Sequence, residues 1–591
     1  VTVGLLGAGP AADAAHAALT DVADRIVAPD IDELGSLSLA VVIGEAGEQR
    51  FEAVNEVALA NDVPWVGVEL QGLGGHGHPV RSAAITGFGP SSACYHCLGQ
   101  RVAAHDSPGS AQQSAGDLSA REQRFAGAVA GREAAGWLEG DSFAGQIVEL
   151  SGARRSVLQV PHCPACGDGQ QEAEPDTNRT PDPDRTHGTR EALTARWGER
   201  SLEESIERAE LAVDQQVGLV SVVGERDSFP APYYLAQLGD TAGFSDASVP
   251  KQTAGVHAEW NQAYMKAIGE ALERYSAGVY RSAHTRSAPE AELARTVSPT
   301  EFVRPESSSY DAREAIQWLE GEALSSGDSV WLPAEFLQFP PATQQLRPAI
   351  TTGLGVGSST GHAVRAGLSE RLERDATMLA WYSTYEPLGL EIEEPGFETL
   401  AQRARSQGLT VTPLLVTQDV DVPVVSVGVH RDGEFPQFAV GSDAALDARE
   451  AARSALCEAL QNWMELRALG PEESATASGA IGQYASFPEP AQQLVDPEVT
   501  VPVGDVAEAP LSGEAALETL LERIESAGLD AYAARLTPRD VEALGFEAVR
   551  VVVPSAQPLF VDEPYFGERA TDVPRSLGFE PRQDREPHPY P

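Results

Sequence analysis

The stretch AGLSERLERDATMLAWY, residues 366–382, places Glu370 and Glu373 three positions apart with apolar residues running on behind them. Spacing of i, i+3 sets two side chains on one helical face, one turn apart. The pattern recurs in AIGEALERYSAG (267–278), with Glu270 and Glu273, and in ARSALCEALQNW (452–463), with Glu458 and Gln461. For any single pair, a solvated acidic helix face is a sufficient account. Three pairs beside apolar positions point further, because neighbouring carboxylates repel unless cations join them. Hard divalent metals such as Mg2+ take oxygen ligands and bridge carboxylates to the phosphates of ATP. Arg274, Arg371 and Arg374 supply complementary forks for phosphate oxygens.

Outward from these helices, Val-rich strands such as VPVVSVGVH (422–430) and AVRVVVP (548–554) alternate with Glu-rich helices. They predict a large α/β body over 191–591. Residues 1–167 alternate short β-type runs (VTVGLLG, RIVAP, LAVVIG, VPWVGVEL, AAITGFG) with Ala-rich helical stretches, the pattern of a second α/β sheet domain. Between them, 168–190 is polar, charged and proline-containing, as expected of a solvated, flexible linker.

Two C-x-x-C turns, Cys94–Cys97 and Cys163–Cys166, lie in the first domain. Two such turns complete a closed four-cysteine shell suited to structural Zn2+, which leaves no coordination position for chemistry; a redox pair is the competing reading. The fifth cysteine, Cys457, reads as a small buried apolar side chain. Gly7-Ala8-Gly9-Pro10 follows a strand and opens a helix, with Asp30 and Asp32 about 20 residues on, a weak dinucleotide fingerprint that close strand–helix packing would also explain.

The chain of 591 residues carries 88 acidic against 42 basic side chains, a net charge of −46, which excludes nucleic acid and anionic membrane surfaces as partners. Lys251 and Lys266 are the only lysines. This composition suits the cytoplasm of a halophilic microbe, where surface carboxylate maintains solubility in concentrated salt. No apolar run is long enough to span a bilayer, and the few cysteines fit a reducing compartment.

GEALERYSAG, GLSERLERDATMLAWY, ALCEALQ and LTPRDVEALGFEAVRVVVPSAQPLF followed by GER resemble, in that order, the successive motifs of the YcaO family over roughly residues 200–591. The resemblance implies an ATP- and Mg2+-dependent enzyme acting on peptide-bond amides through a nucleotide site without a P-loop. It places Glu270, Glu273, Arg274, Glu370, Glu373, Arg374, Glu458 and Gln461 at metal- and nucleotide-binding positions, and Arg569 of GER at a late arginine near the phosphates. Two departures stand out. Gly255-Val256-His257 replaces a Gly-Lys-Gly turn, with Lys251 nearby and His257 read as a turn residue, and Thr352-Gly353 stands where an Asn commonly precedes the glycine.

The first domain, with CYHCLGQR at 94–101, resembles the ThiF/ubiquitin-activating fold and the zinc segment of docking components of thiazole/oxazole peptide cyclodehydratases. The residues that adenylate a carboxylate in ThiF-like enzymes are missing after Asp32, which implies a scaffold. The chain closes on PHPYP, residues 587–591, similar to the Pro-x-Pro-x-Pro ending of azoline-forming YcaO enzymes. Alternating prolines stiffen the chain. The resemblance implies that they deliver the Pro591 carboxylate as a proton acceptor, with His588 the weaker alternative base.

Together these features imply a cytoplasmic cyclodehydratase that converts Cys, Ser or Thr of a ribosomally made (RiPP) precursor peptide of the thiazole/oxazole-modified microcin type into azolines. Thioamide formation, ATP-dependent amide hydrolysis and a non-catalytic peptide scaffold are the alternatives. Docking proteins of this kind usually begin with a winged-helix module, whereas this sequence starts on a strand. Leader binding therefore falls to a separate partner or to another route. A flavin-dependent dehydrogenase and a homodimeric state are further expectations from the family.

Overall fold

Glycine decides how the first strand meets the first helix. β1 (Thr2–Leu6) ends at Gly7, where φ is +134° and a Cβ would stand 2.8 Å from the Ile43 carbonyl oxygen. Gly9, at φ +90°, leads into Pro10, whose fixed φ suits the first turn of α1 (Pro10–Leu19). The computed structural model describes residues 1–77, 83–105, 118–167, 192–194, 197–198, 200–476, 481–507, 510–561 and 563–591; the linker expected at 168–190 lies outside them.

The first body is built on a seven-stranded sheet. β2 (Arg25–Val27), β3 (Leu39–Glu45) and β4 (Trp65–Leu70) run parallel with β1. β5 (Ala83–Phe88), β6 (Gln146–Glu149) and β7 (Arg154–Ser156) extend it antiparallel, giving the order β2-β1-β3-β4-β5-β6-β7. α2 (Tyr95–Ala103) carries the first cysteine turn, and α3 (Ala120–Glu139), started by a Ser119/Glu122 capping box, packs on α1. The five β-type runs read from the sequence coincide with β1 to β5.

Three further sheets build the second body. β8 (Val220–Asp227), β9 (Tyr233–Leu238) and β10 (Gln252–Val256) form an antiparallel meander. A mixed-order sheet joins β11 (Arg286–Pro289), β12 (Ala315–Ala323), β20 (Tyr532–Arg535), β21 (Glu547–Val552) and β14 (Leu354–Gly357), with β13 (Ser329–Pro333) on β12. The last follows the order β18 (Phe438–Ala444), β17 (Val424–His430), β16 (Thr410–Leu415), β15 (Leu388–Glu391), β19 (Thr500–Pro502).

From each of these sheets one strand turns directly into a long helix: β10 into α4 (Trp260–Gly278), β14 into α5 (Thr360–Trp381), β18 into α6 (Ala448–Ser474, interrupted at Gly470-Pro471). Close approach of strand and helix requires glycine. A Cβ on Gly255 would lie 2.3 Å from the Ala263 carbonyl oxygen, on Gly355 2.1 Å from that of Ala363, and on Gly441 2.4 Å from the Ala459 nitrogen. The apolar core is continuous between the bodies. One cluster runs from Val42 and Trp65 of the first sheet through Cys97 and Leu98 to Ile268 and Leu272 of α4 and to Val541. Among the described residues no helix is long and apolar enough to cross a membrane.

Candidate active site

Each of the three strand–helix units holds one glutamate in the same way. The Ala254 N–H of β10 donates to Glu270 Oε2 at 2.9 Å, the Gly353 N–H before β14 to Glu370 Oε2 at 2.8 Å, and the Ser442 N–H of β18 to Glu458 Oε2 at 2.6 Å. One carboxylate oxygen is thereby fixed on each helix; of the others, Glu270 Oε1 accepts from Arg274 Nη2 at 3.2 Å and Glu458 Oε1 lies 3.7 Å from Arg374 Nη2. Glu373 is added to the set by the Ser442 hydroxyl, which donates to its Oε1 at 2.6 Å. Gly353 must be glycine: φ is +90°, and a Cβ would stand 2.4 Å from Arg371 Nε.

α5 is the middle member. Arg374 lies 3.4 Å from Glu373 and 3.7 Å from Glu458 of α6, and Glu370 is within electrostatic reach of Glu273 on α4. On α4, Arg274 lies 3.2 Å from Glu270 and 3.9 Å from Glu273. Seven of the residues picked out by spacing and resemblance are thus brought together: Glu270, Glu273, Arg274, Glu370, Glu373, Arg374 and Glu458. Gln461 is on the same helix as Glu458 but donates to Glu465 at 3.1 Å, and Glu465 in turn accepts from Tyr233.

The pocket suits cations. Burial pushes Glu273 up to about 7 and Asp443 up to about 7, and pushes Glu373 well above the ordinary carboxylate range, with Glu458 raised as well. Oxygen ligands crowded together at such cost in charge are a donor set for a hard divalent ion. Lys266, one turn before Glu270 and solvent-exposed, acts electrostatically on Asp443, Glu458 and His257. Lys251 is instead an exposed residue 3.8 Å from Asp240. His257 is buried and accepts from the Glu259 N–H at 3.2 Å, a turn role.

In the anion-seeking half of the pocket, the sequence marks Arg274 and Arg371 but not Arg347 or Arg550. Arg347, Arg371 and Arg550 are buried together. Arg550 donates to the Thr351 and Ile350 carbonyls, Arg371 to that of Val551, and Arg347 lies over the Phe336 ring. Burial lowers all three from their ordinary range, Arg371 to about 9; Arg347 lowers Arg371 further, and Arg371 and Arg347 both lower Arg550. Arg371 Nη2, Arg550 Nε and Arg274 Nη1 are buried and have no hydrogen-bond partner among the described residues. Clustered guanidinium groups with spare donors beside Glu370 are a donor set that could hold phosphate oxygens. Arg569 pairs with Asp375 at 2.6 Å and with Asp419 at 2.8 Å, so its fork is engaged by two carboxylates.

The PHPYP tail runs into this region. The Pro591 main-chain oxygen accepts from Arg374 Nη1 at 3.1 Å. Trp381 Nε1 donates to the Glu586 carbonyl and the Tyr484 hydroxyl to that of Pro587, while the Arg585 guanidinium sits 3.8 Å over the Trp381 ring. His588 is buried, with Nε2 donating to the Phe560 carbonyl at 2.7 Å, and burial lowers it to about 4. A cavity of about 340 Å³ opens beside the tail, lined by Trp381, Tyr385, Glu386, Arg585 and Tyr590 among others.

Away from the carboxylates, the four cysteines converge. Cys94 Sγ lies 3.7 Å from those of Cys97 and Cys163, and Cys97 Sγ 3.4 Å from that of Cys166. A tetrahedron with metal–sulfur bonds of about 2.3 Å has edges of about 3.8 Å, so the sulfur set fits Zn2+. Cys457 is buried in α6.

A family model described as YcaO cyclodehydratase, ATP- and Mg2+-binding, matches residues 254–557. An uncharacterized protein of Methanothermobacter thermautotrophicus is 28% identical over 336 residues, 54% of this chain and 84% of that one. A solved structure of a heterocyclase in complex with substrate and cofactor has a TM-score of 0.75 at 19% identity, covering 100% of this chain and 85% of that one. The heterocyclase TruD has a TM-score of 0.65 at 20% identity, covering 98% and 81%. The likeness to both is one of fold and spans the body with the two cysteine turns as well as the carboxylate body.

Proposed function

The chain belongs to the YcaO cyclodehydratase family of ATP- and Mg2+-binding enzymes, and from that membership we propose that it closes azoline rings on Cys, Ser or Thr of a ribosomally made peptide. The observation that carries the reading is the convergence of Glu270, Glu370 and Glu458, each held through one oxygen by a main-chain N–H on or next to a strand, beside buried arginines with unused donors.

In this reading the peptide's thiol or hydroxyl gives up its proton and attacks the preceding carbonyl carbon, and the resulting oxyanion, still bonded to that carbon, takes the γ-phosphoryl group of the co-substrate ATP, leaving ADP. Phosphate then leaves as the amide nitrogen loses its proton and the C=N bond forms. The net change in the peptide is one water per ring. Mg2+, when bound, would offset the charge on phosphate during transfer. Glu270, Glu273, Glu370, Glu373 and Glu458 are the residues that would hold it, with Ser442 orienting Glu373. Arg274, Arg371 and Arg550 face the phosphates with donors already desolvated, where each hydrogen bond counts for more than in water. Gln461 and Glu465 fix the Tyr233 side of α6, and Arg569 braces Asp375 on α5.

Arg374 holds Pro591, whose carboxylate is the proposed acceptor for the proton of the attacking group. His588 is the poorer base: its Nδ1 lone pair is buried, and the ring resists protonation. The cavity beside Tyr590 gives the peptide an approach from the tail side. The first body, with Zn2+ at Cys94, Cys97, Cys163 and Cys166, serves as docking scaffold over residues 1–167, and residues 191–591 carry catalysis.

The test is phosphate release in the presence of a short Cys/Ser/Thr-rich peptide, with product mass read in parallel. Loss of one water per ring supports ring closure; exchange of oxygen for sulfur would identify thioamide formation, and addition of water amide hydrolysis. Equal phosphate release by the unaltered protein and a Glu273→Ala variant would remove the case for catalysis at this pocket.

A further inference from the structure

The two cysteine turns are joined to the carboxylate helix by a buried relay. On α7 (Arg539–Ala543) two adjacent residues face opposite ways. Arg539 donates to the Val160 carbonyl at 2.9 Å and the Cys166 carbonyl at 3.0 Å, and its Nη2 lies 3.3 Å from Cys166 Sγ and 3.8 Å from Cys97 Sγ. A shell of four thiolates around Zn2+ carries a formal charge of about −2, so a guanidinium against its sulfurs is electrostatically matched. Asp540, fully buried, accepts from the Tyr275 hydroxyl at 2.6 Å and pairs with Arg101. Arg101 lies one turn beyond Cys97 on α2 and also donates to the Tyr275 hydroxyl at 3.2 Å.

Tyr275 belongs to α4, two residues after Glu273. Two residues turn a helix by about 200°, so Tyr275 anchors the face opposite to the one that presents Glu273. The Arg101–Asp540 pair, with no exposed surface to speak of, breaks if either partner is displaced, since an unpaired buried charge is costly. The same junction is part of the apolar cluster that contains Cys97, Leu98, Ile268, Leu272, Tyr275 and Val541. Two bodies that needed only to be tethered would not share a core and a buried ion pair at this helix.

We propose that metal at the four cysteines sets the position of α4 through Arg539, Asp540 and Tyr275, so that the docking body positions the glutamates of the nucleotide pocket. Asp540, Arg101 and Tyr275 are positioning residues in this scheme. The inference rests on the reading of the pocket as an ATP site. Coupling between sites is reciprocal: whatever factor the metal contributes to nucleotide affinity, nucleotide contributes to metal affinity.

The experiment uses the full chain loaded with zinc. Mg·ATP binding is measured by titration calorimetry for the unaltered protein and for Tyr275→Phe, which leaves the Arg101–Asp540 pair in place. Zinc release to a chromogenic chelator is timed with and without Mg·ATP. The expected results are a Kd for Mg·ATP raised at least about fivefold by Tyr275→Phe at unchanged zinc content, and zinc release that Mg·ATP slows in the unaltered protein but not in the variant. Unchanged Kd in the variant together with nucleotide-independent zinc release would overturn the coupling while leaving the ATP site standing. No Mg·ATP binding by the unaltered protein would refute the ATP-site reading itself, and the coupling with it. Arg539→Gln supplies a second arm, in which zinc release accelerates even though every cysteine is retained; unaltered release there counts against the relay.

Discussion

Arg374 donates to the Pro591 main-chain oxygen at 3.1 Å while lying 3.4 Å from Glu373, so one guanidinium ties the chain's last residue to a helix of the carboxylate pocket. Deletion of Pro589–Pro591 is expected to stop ring formation and leave Mg·ATP binding within about twofold, because the tail contributes none of the clustered glutamates. Extending the chain by one glycine after Pro591 moves the carboxylate and should act in the same direction. Product mass and nucleotide calorimetry read the two effects apart, and full ring formation by the truncated protein would refute the tail's role.

Affinity for Mg2+ should rise with pH. Glu273 and Asp443 each titrate near 7, raised by burial from 4.5 and 3.8. A proton on Glu273 competes with the cation for its oxygens, and one on Asp443 removes negative charge beside Glu458, so binding strengthens between about pH 6 and pH 8. The metal-free fold has the opposite sign. Both groups keep protons in the folded chain that the unfolded chain has released, so their contribution to stability is complete below pH 3.8 to 4.5 and is lost as pH rises through about 7. Mg2+ titrations and melting curves at the two pH values check both signs; a pH-independent Mg2+ affinity would count against the buried carboxylates as ligands.

Arg550→Met should separate folding from function. Arg550 is buried among Arg347 and Arg371, and its removal relieves like-charge crowding. The nucleotide-free variant is expected to melt no lower than about 3 °C below the unaltered protein, and the rise in melting temperature on adding Mg·ATP should vanish. A full nucleotide-dependent rise would place the phosphates elsewhere.

Gly355→Ala should be severely destabilising. Its Cβ would sit 2.1 Å from the Ala363 carbonyl oxygen, a backbone atom that cannot step aside. A cost of about 3 kcal/mol in chemical denaturation is expected from overpacking between strand and helix. Gly224→Ala, at a position with nothing among the described residues within 4 Å, is the control and should be close to neutral.

Cys94→Ser should abolish stoichiometric zinc and lower the melting temperature, since three ligands cannot complete the closed shell. Elemental content and a melting curve report the two outcomes; zinc retained at one per chain would contradict the four-cysteine centre.

Much of this was legible in the sequence where a repeat distance encodes it. Helical i, i+3 spacing marks Glu270 with Glu273 and Glu370 with Glu373, and the two C-x-x-C turns mark four sulfurs that the fold brings within bonding range of one ion. Arg347 and Arg550 were illegible because one lies in a loop and the other on a strand about 200 residues away, with no spacing to join them. Ser442 was hidden for the same reason: its partners, Glu373 and Glu458, belong to two different helices. Arg569 follows its motif in order, yet order says nothing of direction, and Asp375 and Asp419 engage its fork. The relay of Arg101, Asp540 and Tyr275 joins positions separated by as many as 439 residues, a distance that only a tertiary fold closes.

Since Glu270, Glu370 and Glu458 each accept a hydrogen bond from a main-chain amide on or next to a strand, truncating any of them to alanine severs a structural splice as well as a ligand. A glutamine in the same place retains a carbonyl oxygen for that amide while discarding the negative charge. Isosteric amide replacements are therefore the variants in which a chemical deficit can be read without a confounding architectural one.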